Sequence, residues 1–288
     1  MRLAIIGGSQ AYTLLRKRIM SGEKIGTINT PFGTSQPVWQ LNLQGQKVLF
    51  ISRHGDERYS IAAPWVNYRA NIWALKELGT QAIISWSGPG AIDKSIPIGS
   101  FVVPDDVIDE TKNRPTSFFE GTGLGFIRQN PVFCPNLRAL VRKAIENLGL
   151  ECRFGGVYVC TEGPRLETPA EIRKYALIGA HLVGMTLCPE VFLAKELEMC
   201  YAAICYVTNY AEGIRERSFE PGVLFEGLID KNEALAVENA VSMFPRIIEQ
   251  VALAEDQICN CSCQHLMERY RRRGDIGPDW HTWIQTGE

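Results

Sequence analysis

Short apolar runs alternate along this chain with longer amphipathic stretches. Strands are predicted at LAIIGG (3–8), VLFISRHG (48–55), QAIISWSGPG (81–90), SFVVPDDVID (100–109) and CYAAICYVTN (200–209), each built on an apolar run too short for a buried helix. Helices are predicted where apolar and aromatic residues recur at helical spacing. These are VNYRANIWALKELG (66–79, with a closing glycine), CPNLRALVRKAIENLGL (134–150), EIRKYALIGA (171–180), VFLAKELEM (191–199) and ALAVENAVSMFPRIIEQVALA (234–254). Pro245 inside the last of these predicts a bend or a division into two helices. Strands alternating with helices define an α/β protein with a largely buried, parallel or mixed central sheet flanked by helices. Residues 1–255 read as a single domain with no repeat, low-complexity segment or linker. Residues 256–288 read as a Cys-containing tail, packed on the domain or serving as an oligomer contact.

The ends of the strands carry the candidate chemistry. GGS (7–9), RHG (53–55), SGPG (87–90) and TNY (208–210) all fall where a strand gives way to a loop. In open α/β sheets that edge is where ligands bind. Each loop offers glycine-exposed N–H groups, a hydroxyl or a cation, so together they predict an anion site assembled from separate loops. The phosphate-loop pattern of nucleoside triphosphatases is absent, and GGSQAY is not the G-x-G-x-x-G dinucleotide fingerprint, which sets aside an oxidoreductase reading.

Composition narrows the partners. The 288 residues carry a formal net charge of −2, with no basic excess of the kind nucleic-acid binding needs. The opening MRLAIIGGSQ is too short for a signal-peptide core, and no later run reaches membrane-spanning length, so a cytoplasmic protein without a membrane partner is expected. Nine cysteines are many for such a protein. Cys134, Cys152, Cys160, Cys188, Cys200 and Cys205 are scattered through core-like segments, where a thiol behaves as a small hydrophobe. Cys259, Cys261 and Cys263 share the segment CNCSCQH (259–265), which ends on His265. Structural zinc sites mostly place two to four residues between paired ligands, so this spacing predicts thiols rather than a metal. Bridges from the cluster to Cys200 or Cys205 are the alternative.

Several segments in this order resemble the purine nucleoside phosphorylase / methylthioadenosine phosphorylase family: TPFG (30–33), RHG (53–55), VNYRANIWALKELG (66–79), FCP (133–135), TEGPRLET (161–168), GMTLCPEVFLAKELEMCYA (184–202) and VTNY (207–210). The resemblance runs from about residue 3 to about 250. It implies a nucleoside phosphorylase fold, with a central sheet that is partly barrel-like. It also implies phosphorolysis of a purine nucleoside to free base and ribose 1-phosphate. Inorganic phosphate would be the co-substrate, with no metal or organic cofactor, and the chain would form a trimer or a dimer of trimers.

Carried residue by residue, the resemblance puts Ser9, Arg53, His54, Ser87, Gly88 and Thr186 around phosphate. Met185 falls beneath the ribose, and Glu167, Leu166, Asn209 and Ala211 around the base. Phe126 would reach from a neighbouring subunit over the 5′ end, and Phe225 would face the same 5′ group. The chain departs from the family at S-G-P-G, where Pro89 removes an N–H. Catalysis is implied for Asn209, Glu167, Arg53 and His54. Relatives acting on 6-aminopurines tend to carry Asp and Ser where Asn209 and Glu167 stand. A glutamate can accept from the N1–H of a 6-oxopurine, and an amide can donate to O6 or N7. The pair therefore implies inosine and guanosine as substrates, with 5′-methylthioinosine admitted by an apolar 5′ pocket; a methylthioadenosine phosphorylase is the alternative. The altered S-G-P-G loop also leaves open a purine-binding protein that has lost catalysis. The bland readings of the pair are that Glu167 begins the following helix and Asn209 caps a turn.

Overall fold

The computed structural model describes residues 2–215, 221–224, 229–254 and 261–284. The first part of the chain forms β1 (Leu3–Gly7), α1 (Ala11–Arg16), β2 (Gly22–Gly26), β3 (Asn29–Thr30), β4 (Gly33–Thr34), β5 (Val38–Leu43), β6 (Gln46–Ser52) and α2 (Tyr68–Glu77). The middle adds β7 (Ala82–Ser87), β8 (Gly90–Ala91), β9 (Phe101–Val103), β10 (Asp106–Glu110), α3 (Pro135–Asn147), β11 (Cys152–Phe154) and β12 (Val157–Thr161). Then come α4 (Pro169–Leu177), β13 (Leu182–Gly184), α5 (Glu190–Glu196), β14 (Cys200–Tyr206), β15 (Asn209–Tyr210), α6 (Lys231–Leu253) and α7 (Glu268–Arg273).

Eight strands form one sheet in the order β11-β9-β14-β7-β1-β6-β5-β2, and five form a second in the order β10-β12-β13-β8-β15. The run β14-β7-β1-β6 is parallel throughout. Its strands are buried on both faces, and alternate residues feed two cores, as the two-residue period of a strand requires. Ala4, Ile6, Leu49, Ile51, Ile83 and Tyr201 pack towards α2 and α5. Leu3, Ile5, Phe50, Ile84, Trp86 and Ile204 pack towards α3 and α6. A mixed α/β domain with helices on both faces of its main sheet is therefore observed, as two sheets with no closed barrel among the described residues.

Two expectations change. The predicted strand 100–109 is two strands in different sheets: β9 pairs with β14 and β11, and β10 pairs with β12. Pro104, between them, lacks the N–H that a continuous ladder would use. Of the bend or division expected at Pro245, the division does not occur; α6 runs unbroken from Lys231 to Leu253. Its buried stripe of Ala240, Phe244, Ile247, Ile248 and Val251 holds the helix on either side of the proline. The tail residues Met267, Tyr270, Ile276 and Trp283 are buried in the same core as α2 and α5. The basic run splits, with Arg271 turned onto Glu198 while Arg272 and Arg273 stay largely exposed.

Candidate functional site

The parallel run brings the carboxyl ends of β1, β6, β7 and β14 to one edge, and the loops leaving them face the second sheet. Between them lies a cavity of about 430 Å³. Gly8 and Ser9 after β1, His54 after β6, Ser87 and Gly88 ending β7, and Met185 and Thr186 after β13 line it. Leu166, Glu167, Asn209 and Ala211 line the same cavity. Loops far apart in sequence thus converge because parallel strands point their carboxyl ends the same way.

Close backbone approach explains two of the glycines. A Cβ on Gly8 would sit 2.8 Å from the Trp86 carbonyl oxygen. One on Gly88 would sit 2.8 Å from the Thr208 methyl and 2.9 Å from the Tyr206 ring and hydroxyl. Only glycine lets these turns pack so tightly and leave their N–H groups near a ligand. The Ser87 hydroxyl lies 3.2 Å from that of Thr186 and 3.3 Å from that of Tyr158, which makes a patch of hydroxyl donors. Pro89 gives up an N–H but its carbonyl accepts from the Thr208 amide (3.1 Å), so the loop stays pinned to the strand end opposite.

Arg53 is arranged differently from the expectation. Its side chain is fully buried, and the planar fork faces Glu190 rather than the cavity. Nε donates to one Glu190 oxygen, and Nη2 donates to the other (2.8 Å) and to Ser85 Oγ (2.8 Å). Tyr201 also donates to Glu190 at 2.8 Å. Burial works against the guanidinium charge, and the Glu190 carboxylate more than restores it. Nη1 is buried with no hydrogen-bond partner among the described residues. It is the guanidinium atom nearest Gly8, 3.6 Å from the Cβ position there. One N–H pair of a locked cation thus remains for a ligand at the Gly8 turn. The sequence segment containing Pro189 and Glu190 was conspicuous, but nothing local shows that this carboxylate meets Arg53.

His54 is buried and stacks on Tyr59 with ring centroids 4.6 Å apart. Burial, reinforced by the Arg53 charge, pushes its pKa down to about 3. The ring is therefore neutral. Nδ1 lies 2.8 Å from the Ile61 carbonyl oxygen, which only accepts, so the proton sits there and Nε2 is left as an acceptor. His54 accordingly suits the hydroxyl of a protonated phosphate rather than adding a positive charge.

On the base side, Glu167 does not begin the following helix. Thr168 is the N-cap of α4, and Glu171 closes a capping box with it, so Glu167 is left to the cavity, held by the Thr161 hydroxyl. Asn209 is buried, its Oδ1 accepting from Thr208 Oγ1 (2.7 Å) and its Nδ2 donating to the Tyr210 carbonyl (2.8 Å). Those bonds fix the amide and leave one lone pair and one N–H for a ligand. Arg114 is a support that the sequence pattern does not announce. It is buried and donates to the carbonyls of Met185 (2.6 Å), Cys188 (2.8 Å) and Thr161 (3.2 Å). It thereby joins the loops that carry Met185 and Glu167. Tyr12, Tyr59, Tyr158 and Glu212 also line the cavity and were not anticipated, so a carboxylate stands one residue beyond Ala211.

Phe126 is outside this cavity; it is 86% exposed, with its backbone N–H bonded to the Tyr270 hydroxyl at 2.9 Å. Phe225 and Cys259 lie outside the described residues. Among the described residues, no group of three metal-ligating side chains converges on the cavity wall, and no helix is long and apolar enough to cross a membrane.

An α/β domain with an anion-suited turn facing an amide–carboxylate pair defines a class of enzyme that joins phosphate to a base-bearing substrate. The phosphorylase superfamily model matches residues 2–249, and the chain belongs to that superfamily. Within it, the chain belongs to the purine nucleoside phosphorylase / methylthioadenosine phosphorylase family. It is 39% identical over 254 residues to the 6-oxopurine nucleoside phosphorylase of Pyrococcus furiosus, covering 85% of this chain and 94% of that one. It is 38% identical to the probable S-methyl-5′-thioinosine phosphorylase of Methanothermobacter thermautotrophicus, over 92% of this chain and 88% of that one. The S-methyl-5′-thioadenosine phosphorylase of Thermofilum pendens is 42% identical over 73% of this chain and 79% of its own length. Among solved structures, a methylthioadenosine phosphorylase from an antarctic soil metagenomic library superposes with a TM-score of 0.79. It is 29% identical, with 92% of this chain and 90% of that one covered.

Proposed function

We propose that this protein is a purine nucleoside phosphorylase that cleaves 6-oxopurine nucleosides with inorganic phosphate. Inosine and guanosine are the substrates, and 5′-methylthioinosine is admitted as well. The observation that carries this reading is that Glu167 and Asn209 line the same cavity as Ser9, His54, Ser87 and Thr186. A phosphate oxygen forms a bond to C1′ as the C1′–N9 electron pair leaves into the purine, which takes up a proton from water at N7. The Gly8 turn, Arg53 Nη1 and the Ser87–Thr186 hydroxyls hold the phosphate, and His54 Nε2 accepts a hydrogen bond from its hydroxyl. Met185 lies against the ribose. Asn209 meets O6 or N7 as negative charge builds on the base, and Glu167 accepts from N1–H; both are stabilisation aimed at the transition state. No metal or organic cofactor takes part in this chemistry.

The working unit is a homo-oligomer, a trimer or a dimer of trimers, in which Phe126 of one subunit covers the 5′ end in the next. Its 86% exposure within the single chain supports that role. The enzyme acts in the cytoplasm, a reading supported by Cys152, Cys160, Cys188 and Cys205 standing as free thiols within the domain. The second reading, an S-methyl-5′-thioadenosine phosphorylase, is favoured by the 42% identity to the Thermofilum pendens relative and by the Glu212 carboxylate on the cavity wall.

The test is free-base release from inosine, guanosine, adenosine, methylthioadenosine and methylthioinosine, with and without phosphate. Phosphate-dependent release from the oxopurine nucleosides is expected. Release confined to the adenine nucleosides would establish the second reading, and release independent of phosphate would make the enzyme a hydrolase.

A further inference from the structure

The cysteine-rich tail meets the domain at a point far removed in sequence. Cys134 is the N-cap of α3, Cys200 opens β14, and Cys261 and Cys263 lie at the start of the described tail. Their four sulfurs all lie within 4.8 Å of one another, with Cys200 Sγ and Cys261 Sγ 3.1 Å apart. Cys134, Cys200 and Cys263 are buried, and Cys261 is half-buried. The Cys-x-Cys spacing, which argued against a metal on sequence alone, has a structural use here. Cys261 is the N-cap of a short 3-10 helix, Ser262–His265, and Cys263 is the second residue of that helix, so the chain turns between them and brings both sulfurs into one group. The tail therefore offers two sulfurs to one point, and the domain supplies the other two. His265, the fourth residue of the sequence pattern, is not part of the group.

We propose that these four cysteines form a tetrahedral thiolate site for a structural divalent cation, zinc, which fastens the tail to the α3–β14 layer. Zinc binds thiolate at about 2.3 Å, so the sulfurs of a regular tetrahedron stand about 3.8 Å apart. The 3.1 Å Cys200–Cys261 separation lies below that value and the 4.8 Å bound on the whole group above it. Two disulfides would need two contacts of about 2.05 Å and give no reason for all four sulfurs to share one centre. The surroundings suit the −2 charge of a four-thiolate zinc centre. Cys134 sits at the positive end of the α3 dipole. A basic side chain stands nearby: Lys195 is 3% exposed, donates to the Pro131 carbonyl (2.7 Å) and lies within electrostatic reach of Cys263 and Cys134. Binding releases the thiol protons to solvent and involves no change of oxidation state. The site replaces the expectation of a chain without metal, and it is separate from the phosphorolysis chemistry.

The test uses the whole chain, purified under reducing conditions without chelator. Elemental analysis is expected to give about one zinc per chain, released when an organomercurial titrates the thiols. Replacement by cobalt(II) is expected to produce intense tetrahedral d–d bands and sulfur-to-cobalt charge transfer. The Cys261→Ser/Cys263→Ser variant should lose both signals. Should that variant not fold, the cobalt spectrum of the unaltered chain decides by itself. No metal after reconstitution with zinc, or a cobalt spectrum lacking thiolate bands, would overturn the proposal. So would Cys134, Cys200, Cys261 and Cys263 found paired as disulfides by alkylation mass spectrometry in protein isolated without reductant.

Discussion

Replacing Glu190 by Gln isolates the role of the buried ion pair beneath the cavity. Arg53 is fully buried and Glu190 nearly so. The carboxylate takes two hydrogen bonds from the guanidinium and one from Tyr201, and Ser85 stands 3.3 Å from it. Glutamine keeps the shape but removes the charge, so one donor of the fork loses its acceptor and the cation is left buried without a counter-charge. Breaking such a pair from one side costs about 3–5 kcal/mol. At about 2–4 °C per kcal/mol for a chain of this size, the melting temperature should fall by about 6–20 °C. Differential scanning calorimetry at neutral pH measures the loss, and a double-mutant cycle with Arg53→Met separates the pair from its neighbours. In that cycle the double variant should be more stable than the sum of the single losses implies, yet it should no longer bind phosphate, because Arg53 Nη1 has gone. A Glu190→Gln melting temperature within about 2–4 °C of the unaltered protein, a change of about 1 kcal/mol, would refute the reasoning.

Two further outcomes are expected. Asn209→Asp combined with Glu167→Ser should cut kcat/KM on inosine by about 10–100-fold, the scale of an unpaired buried polar group, and raise the relative rate on adenine nucleosides; an unchanged preference in the free-base assay would show that these residues do not read the base. The neutral His54 should make the fold sensitive to acid. The unfolded chain takes up a proton as pH falls through 6.5, while the folded chain resists until about 3, so stability present above pH 6.5 is lost below it, at about 1.4 kcal/mol per pH unit. Urea unfolding at pH 7 and pH 5 should show roughly 2 kcal/mol less acid loss in His54→Gln than in the unaltered protein, and equal losses would contradict the assignment.

Local pattern accounts for much of the architecture. LAIIGG, VLFISR and CYAAICYV are strands because each is an apolar run that can be buried on both faces. VNYRANIWALKELG is a helix because its apolar residues share a face, and the structure places that helix at Tyr68–Glu77. The glycine- and hydroxyl-bearing strand ends also identified the edge at which the cavity lies, since parallel strands present their carboxyl ends together. What tertiary structure alone decided are the pairings between residues that no period links. Glu190 closes on Arg53 across 137 positions. Arg114 reaches three loop carbonyls from an otherwise ordinary segment, and Cys134 and Cys200 complete a cluster whose tail half looked insufficient. Periodicity records whether a side chain is buried. Which charge, carbonyl or thiol it meets there depends on strand order and helix packing, and those follow from burying the whole chain at once.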